Sequence, residues 1–437
     1  MVQKAPGVSS LAVITHPQIW LAVIVVTSLA LMLVRAWRVP EVYWIAGGVL
    51  MLLLLRLESP ANALSAAAKG TDVYLFLGGM MLLSELASKH GVFDWLACAA
   101  VRHSNGSSAR LFFLIYAAGT LVTMFMSNDA TAVVLTPAVL VAVRKARIDP
   151  VPYLFVCAFI ANAASFALPI SNPANLVVFQ KQMPALGAWL LRFGVPSMLS
   201  IAVTYVVLRW YFRERLRAGL DAAISDHVLD HHGKMMLAGL LATAAILLVA
   251  STLNWDLGLP TFATALVFAT VVSISSKSSI LPLFREISWS TLGLVAALFV
   301  MVDAVERFGA MQHTQAWLEW ASHLGAVTGG LVTGFAVAVA NNLVNNLPLG
   351  LIAGRSLGPA HAGGLLGSAV LIGVDLGPNL SITGSLATIL WLIALRKQKL
   401  LDVSFGDFLR IGALCMPAAL LAALLGAIGV HLLLGWR

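Results

Sequence analysis

Four short polar interruptions divide a chain that is otherwise close to continuously apolar. Ser127-Asn128-Asp129-Ala130-Thr131 and Pro169-Ile170-Ser171-Asn172-Pro173-Ala174-Asn175 fall in the first half. Asn341-Asn342-Leu343-Val344-Asn345-Asn346-Leu347-Pro348 and Gly377-Pro378-Asn379-Leu380-Ser381-Ile382-Thr383-Gly384-Ser385 fall in the second. The apolar runs between them approach the ~20 residues that carry a helix across a bilayer core. Within that core, asparagine and proline free backbone groups that lipid cannot satisfy, so such breaks persist only where they line protein-enclosed space. Paired breaks in two halves of a chain mark the binding site of a repeat-built membrane protein.

Composition removes the alternatives. Of 437 residues, 60% are hydrophobic and 11% charged, too little charge to cover a soluble domain of this length. On a membrane protein the net charge of +8 reports topology and gives no sign of nucleic-acid binding. Cys98, Cys157 and Cys415 stand singly in apolar stretches, so neither a disulfide framework, a zinc site nor a thiol trap for a soft metalloid is indicated. No phosphate-binding loop occurs and no cofactor is called for. The segment before Trp20 lacks a cleavage-site pattern and reads as mature sequence.

The expected fold is an all-α polytopic membrane protein of about ten spans: 19–34, 41–55, 72–88, 151–168 continuing to 179, 190–208, 235–253, 259–276, 289–305, 362–376 continuing to 395, and 411–434. The segments 111–145 and 325–354 turn around asparagine-rich tips and read as re-entrant hairpins. In the second, only eight residues, Leu347 to Gly354, precede Arg355. At 1.5 Å per residue that arm covers about 12 Å, far short of a bilayer core. The segments 151–179 and 362–395 read as broken helices. With both termini extracytoplasmic, 19 of the 27 basic residues fall on the cytoplasmic side, including the dense loop 209–217, as the positive-inside rule favours.

An odd number of spans in each half inverts the second copy. The expected division is a first repeat at 1–208, a cytoplasmic linker at 209–233 and a second repeat at 234–437. Leu82–Gly91 aligns with Val300–Gly309 at an offset of 218, Asn128-Asp129 with Asn345-Asn346 at 217, and Ser171 with Thr383 at 212. His227, His231 and His232 in the linker read as a solvated segment, with a metal site as the alternative.

Near the midplane a solute exchanges water for side chains, free backbone groups and helix ends. The breaks offer Asn128, Thr131, Ser171, Asn172, Asn175, Asn345, Asn346, Ser381, Thr383 and Ser385. This set is neutral and hydrogen-bonding, without lysine or arginine, and suits a small polyhydroxylated molecule better than an anion. Four acids lie in or beside spans. A carboxylate there faces a cavity or carries a proton part of the time. Asp129, at a tip, is the first candidate for proton coupling, with a helix cap as its alternative. Asp375 precedes the break at Gly377-Pro378. Glu85 and Asp303 occupy matching repeat positions and read equally as hydrated groups near the interface.

The stretch Gly373-Val374-Asp375-Leu376-Gly377-Pro378-Asn379-Leu380-Ser381-Ile382-Thr383-Gly384-Ser385-Leu386-Ala387-Thr388-Ile389-Leu390-Trp391 closely resembles the signature of ArsB-type arsenical efflux pumps. Ser127-Asn128-Asp129 through Leu135-Thr136-Pro137 and Asn345-Asn346-Leu347-Pro348 resemble that family's two tips. Many members carry lysine after Gly-Pro, where this chain has Asn379, and glycine with alanines after the tip, where it has Ala130-Thr131-Ala132. The resemblance implies the ion transporter superfamily fold, with inverted repeats, two hairpins and two broken helices, in the bacterial cytoplasmic membrane. It implies export of arsenite and antimonite, As(OH)₃ and Sb(OH)₃, in exchange for protons, in some members with a soluble ATPase subunit. The competing readings are a sodium/proton antiporter of the same superfamily and the membrane subunit of an ATP-driven pump, docked at 209–217 or 396–399. A dicarboxylate carrier and an intramembrane enzyme fit less well.

Overall fold

The computed structural model describes residues 16–34, 39–217, 219, 228–277, 279–309, 311–362, 364–397 and 403–434. Among them no β-strand forms; one isolated bridge joins Ser107 to Gly219. Ten helices make the first half: α1 (His16–Val34), α2 (Glu41–Leu54), α3 (Pro60–Ala68), α4 (Thr71–Lys89), α5 (Val92–His103), α6 (Ser108–Phe125), α7 (Thr136–Lys145), α8 (Val151–Ala163), α9 (Pro173–Phe179) and α10 (Leu186–Tyr211). Ten more follow in the same order: α11 (His231–Thr252), α12 (Gly258–Ser275), α13 (Leu281–Glu286), α14 (Trp289–Arg307), α15 (Met311–His323), α16 (Ala326–Val344), α17 (Asn346–Ala362), α18 (Leu365–Leu376), α19 (Leu386–Lys397) and α20 (Phe405–Leu434). α6, α10, α11, α12, α14, α16 and α20 are long and apolar enough to cross a membrane. The paired pieces α8–α9 and α18–α19 supply the two broken helices.

Contacts between distant residues sort the helix ends into two opposite sets. At one end, Gly258 at the start of α12 donates its backbone N–H to Asp72 Oδ1 near the start of α4 (2.6 Å). Lys69, Arg307 and Arg355 meet Asp303 at this same end, and Arg192 of α10 donates to the Gly364 carbonyl before α18 (3.2 Å). At the other end Arg215, past α10, pairs with Asp149 before α8 (3.1 Å), and His90 after α4 stacks near His232 of α11 (5.7 Å). α4 therefore runs away from the Arg355 end and its counterpart α14 runs toward it. The repeat is inverted, and the two hairpins enter from opposite ends.

The centre belongs to α8 and α18, largely apolar and buried on every side from Pro152 to Ala163 in the first and from Leu365 to Leu376 in the second. A helix apolar all round is the kind that other helices surround. Small residues allow close approach between neighbours. A Cβ at Gly79 of α4 would lie 2.8–2.9 Å from the Thr261–Phe262 backbone of α12, and one at Gly354 of α17 would lie 2.3 Å from the Val178 carbonyl of α9.

Two readings of the sequence change in detail. The second arm of the second hairpin does not end before Arg355; α17 runs through it to Ala362, with a non-helical turn at Gly358 (φ 59°). The charge is tolerated because Asp303 and Glu306 neutralise it. In the linker, His231 and His232 open α11, whose N-cap is Asp230. No cluster of three metal-ligand side chains forms among the described residues; His227, Lys399 and the termini lie outside them.

Candidate functional site

The first hairpin turns where α6 ends at Phe125, and the chain resumes as a π-helical segment, Ala130–Leu135. Such widened turns recur at functional sites. Asp129 sits at the start of this segment. In the second hairpin α16 ends at Val344 and Asn345 takes φ 78°, ψ 153°, a region occupied almost only by glycine and costing about 1–3 kcal/mol for other residues. Its side chain is anchored to the Thr383 carbonyl (3.2 Å), which ties the second tip to the second break.

Both tips and the first break meet beside the start of α19. A small central cavity is lined by Asn128 and Asp129 of the first tip, Asn172 and Pro173 of the first break, Asn346 and Leu347 of the second tip, and Leu386 and Ala387 after the second break. Its volume, about 10 Å³, is near the lower limit for one water. Beside it lies a larger cavity of about 130 Å³ that shares Asp129, Pro173 and Leu386 and extends past Ser84 and Glu85 to Glu286 and Ser288. This vestibule therefore leads from the meeting point toward the Arg215 end. Neither cavity is lined by a lysine, an arginine or any of the three cysteines.

The residue types singled out in the sequence separate by what they bond. Asn128 and Asn346 are buried, and the Oδ1 of each has no partner. Asn172 donates Nδ2 to Asp375 Oδ1 (2.8 Å) and caps α9 through Oδ1, which accepts from the Ala174 N–H (3.0 Å). Asp375, 1% exposed, thus lies one side chain behind the cavity wall, and its Oδ2 has no partner. Glu85 lines the vestibule with Asp129.

The rest hold the breaks together. Thr131 Oγ1 is 2.8 Å from Thr123 Oγ1, and Ser171 Oγ donates to the Met124 carbonyl (3.0 Å). Asn175 Nδ2 reaches the Ser165, Leu168 and Pro169 carbonyls, which lie within the first break. Ser381 Oγ donates to Asn342 Oδ1 (2.6 Å) and Thr383 Oγ1 to the Asn342 carbonyl (3.2 Å); Ser385 caps the start of α19 by accepting from Thr388 N–H (3.1 Å). Asp303 is remote from the cavities, in an ionic cluster at the Arg355 end.

Asn162 escaped the sequence reading, and Asn341, Asn342 and Asn379, though within the interruptions, were not among its candidate ligands. Asn162 of α8 donates to Asn379 Oδ1 (2.9 Å), and Asn379 donates to the Phe159 carbonyl (3.0 Å). Asn341 donates to the Val374 carbonyl (2.7 Å) and Asn342 to that of Gly377 (2.9 Å). Only the separation of Asn162 and Asn379, the same 217 residues as between the tips, signalled their kinship.

Comparison with known proteins agrees with this architecture. The citrate transporter family (CitMHS) matches residues 11–373. The arsenical pump membrane protein of Yersinia enterocolitica is 28% identical over 375 residues, which cover 81% of this chain and 85% of that protein. The arsenical pump membrane protein of Escherichia coli (strain K12) is 28% identical over 376 residues with the same coverage. Among solved structures, the Alcanivorax borkumensis YdaH transporter superposes with a TM-score of 0.59 over 97% of this chain and 99% of its own, at 17% identity, a likeness of fold. The chain belongs to the citrate transporter family, is an integral membrane transporter, and is similar within its length to ArsB-type arsenical pump membrane proteins.

Proposed function

We propose that this transporter exports arsenite and antimonite as the neutral As(OH)₃ and Sb(OH)₃ in exchange for protons, by alternating access. The observation that carries the reading is the central cavity, where the two tips, the first break and the start of α19 meet and the unpaired polar atoms are acceptors. Asn128 Oδ1, Asn346 Oδ1 and the Asp129 carboxyl face a solute that donates three O–H groups. A buried acceptor left unpaired costs about 1–3 kcal/mol, so a donor-rich guest recovers energy that an apolar guest does not. A citrate anion would meet no cation here and would face Asp129, Glu85 and Glu286 along the vestibule; like charge in a confined space opposes its entry. The names of the relatives point to arsenic in the same way.

In this reading Asp129 exchanges its proton with the vestibule, and the Arg215 end is cytoplasmic in a bacterial inner membrane. Both termini are then extracytoplasmic. Asn128, Asn172 and Asn346 bind the solute, and Asp375 senses its arrival through Asn172. Thr131, Ser171, Asn175, Asn345, Ser381, Thr383 and Ser385 hold the breaks that present these groups. The same acceptor oxygens favour one second reading, a sodium/proton antiporter, because hard cations prefer oxygen ligands. An ATPase subunit would find exposed Arg213 and Arg217 at the Arg215 end.

The test is arsenite resistance and transport into everted vesicles from a pump-deficient host, with the intact chain and Asp129→Asn side by side. Resistance from this chain alone, proton-dependent uptake and its loss in Asp129→Asn are expected. Sodium-driven proton flux with no arsenite movement would replace the reading with the antiporter. Transport that depends on a co-expressed ATPase would replace it with the ATP-driven pump.

A further inference from the structure

The two acids that the inverted repeat makes equivalent, Glu85 and Asp303, are in opposite situations. Glu85 of α4 lines the vestibule and makes no ion pair with another described residue. Asp303 of α14 is 2% exposed and holds three cations: Lys69 Nζ at 2.6 Å, Arg307 Nε at 2.8 Å and Arg355 Nη1 at 3.3 Å. Lys89 stands at the repeat position of Arg307, but at the offset of the tips Ala138 stands where the second hairpin has Arg355. Arg355 is also bound to Glu306 at 2.7 Å and lies over the Phe299 ring, 5.9 Å from its centroid. One end of the molecule is thus open at a repeat-related acid and the other is bolted there by a cation carried on a hairpin.

We propose that Arg355 is a gate residue: bound by Asp303 and Glu306, it clamps the second hairpin onto α14 and holds the Arg355 end shut while the vestibule is open at the other. The inference rests on the alternating-access reading above. Its physical basis is that a single side chain bridges an element that carries a tip, α17, to one that carries none, α14. Movement of the second hairpin away from α14 must break both of these ion pairs, whereas Lys69 and Arg307 stay with Asp303 and keep its charge compensated. Removing the bridge therefore shifts the population toward the state open at the Arg355 end, by as much as the bridge discriminated between the two states.

The experiment uses the full chain in native membranes, with Cys98→Ser and a reporter, Leu298→Cys. Leu298 is buried and lines a pocket with Asn345 and Leu347 of the second hairpin. A membrane-impermeant maleimide is applied to the Arg355 end, and each cysteine is read by mass spectrometry. In Arg355→Gln, labelling of the reporter should rise on the order of fivefold or more, with Cys157 and Cys415, both buried, unchanged. Arg355→Lys should fall between. Glu306→Gln removes the half-exposed partner and leaves Asp303 compensated, so it should give a smaller rise without unfolding. Unchanged reporter labelling in folded Arg355→Gln overturns the proposal; if that variant does not fold, unchanged labelling in Glu306→Gln does. Parallel rises at Cys157 and Cys415 overturn it as well, since they mean general loosening. The labelling needs no substrate, so a gate that opens in a protein that moves no arsenite refutes the substrate reading alone. Intact arsenite transport without a labelling response refutes the gate alone.

Discussion

Asp129 and Asp375 are the same chemical group in two unlike places. Asp129 lines both cavities, whereas Asp375 is sealed behind Asn172 with one oxygen unpaired. A buried carboxylate without a cation is costly when ionised, so replacing it with an amide should not harm the fold. Asp375→Asn is expected to melt no lower than the parent in detergent while arsenite–proton exchange falls at least about tenfold, a difference of about 1.4 kcal/mol in barrier; exchange at the parental rate would remove Asp375 from the mechanism. Asn379→Ala should behave in the opposite manner. It deletes two hydrogen bonds and leaves Asn162 Nδ2 with only its longer contacts to the Ala158 carbonyl and Thr388 Oγ1, a loss of roughly 1–3 kcal/mol readable as a lower melting temperature, and a double-mutant cycle with Asn162→Ala should show coupling of about 0.6 kcal/mol or more. At this scale the sequence was half legible. Residue type picked out the polar breaks, but a side chain at a break can either line the cavity or satisfy carbonyls within the break. Asn172 and Asn175, three residues apart, do one each, and no helical period runs through an irregular segment to say which.

Elements were more legible than side chains. Two hairpins and two broken helices follow from apolar length interrupted by asparagine, proline and glycine, because lipid allows so few ways to satisfy a backbone. What failed was the end of α17. Arg355 is a charge at the edge of an apolar run, which reads as a boundary until its partners on another element, Asp303 and Glu306, are known. Gly354, its neighbour, is equally silent in the sequence, yet it sets how near the second hairpin comes to α9. A Cβ there would stand 2.3 Å from the Val178 carbonyl, and backbone cannot swing aside as a side chain can. Gly354→Ala is expected to push the hairpin off α9, to cost about 1–3 kcal/mol as overpacking does, and to depress transport. Gly47→Ala of α2, where a Cβ meets nothing within 4 Å, is the matched control and should keep parental melting and transport or gain slightly from helix propensity. Equal behaviour of the two variants in thermal unfolding and vesicle uptake would show that close packing at Gly354 does not position the hairpin.

At the scale of the whole molecule, inversion converts a local difference into a direction. Two copies of one topology would give a symmetric barrier if both adopted the same shape; here a 130 Å³ vestibule lies beside Glu85 and Asp129 at one end, whereas Arg355 is ion-paired to Asp303 and Glu306 at the other. Exchanging the two shapes would carry the central cavity from one end to the other with no change in the residues around it. Such a cycle is only as directional as its driving ion. In the proposed exchange a neutral trihydroxide gains nothing from membrane potential, so the returning proton alone would carry charge and each cycle would be electrogenic. One charge through about 100 mV supplies about 2.3 kcal/mol. At about 1.4 kcal/mol per decade that sustains roughly a 40-fold arsenite gradient before any pH difference is added. In proteoliposomes at equal pH on both sides, an imposed potassium-diffusion potential should therefore drive arsenite accumulation in vesicles positive inside, toward that ratio, and reversing its sign should drive efflux. Indifference to the potential would exclude one-proton exchange with a neutral solute, and potential-driven movement that needs sodium while protons are clamped would assign the acceptor oxygens of Asn128, Asp129 and Asn346 to a metal cation instead.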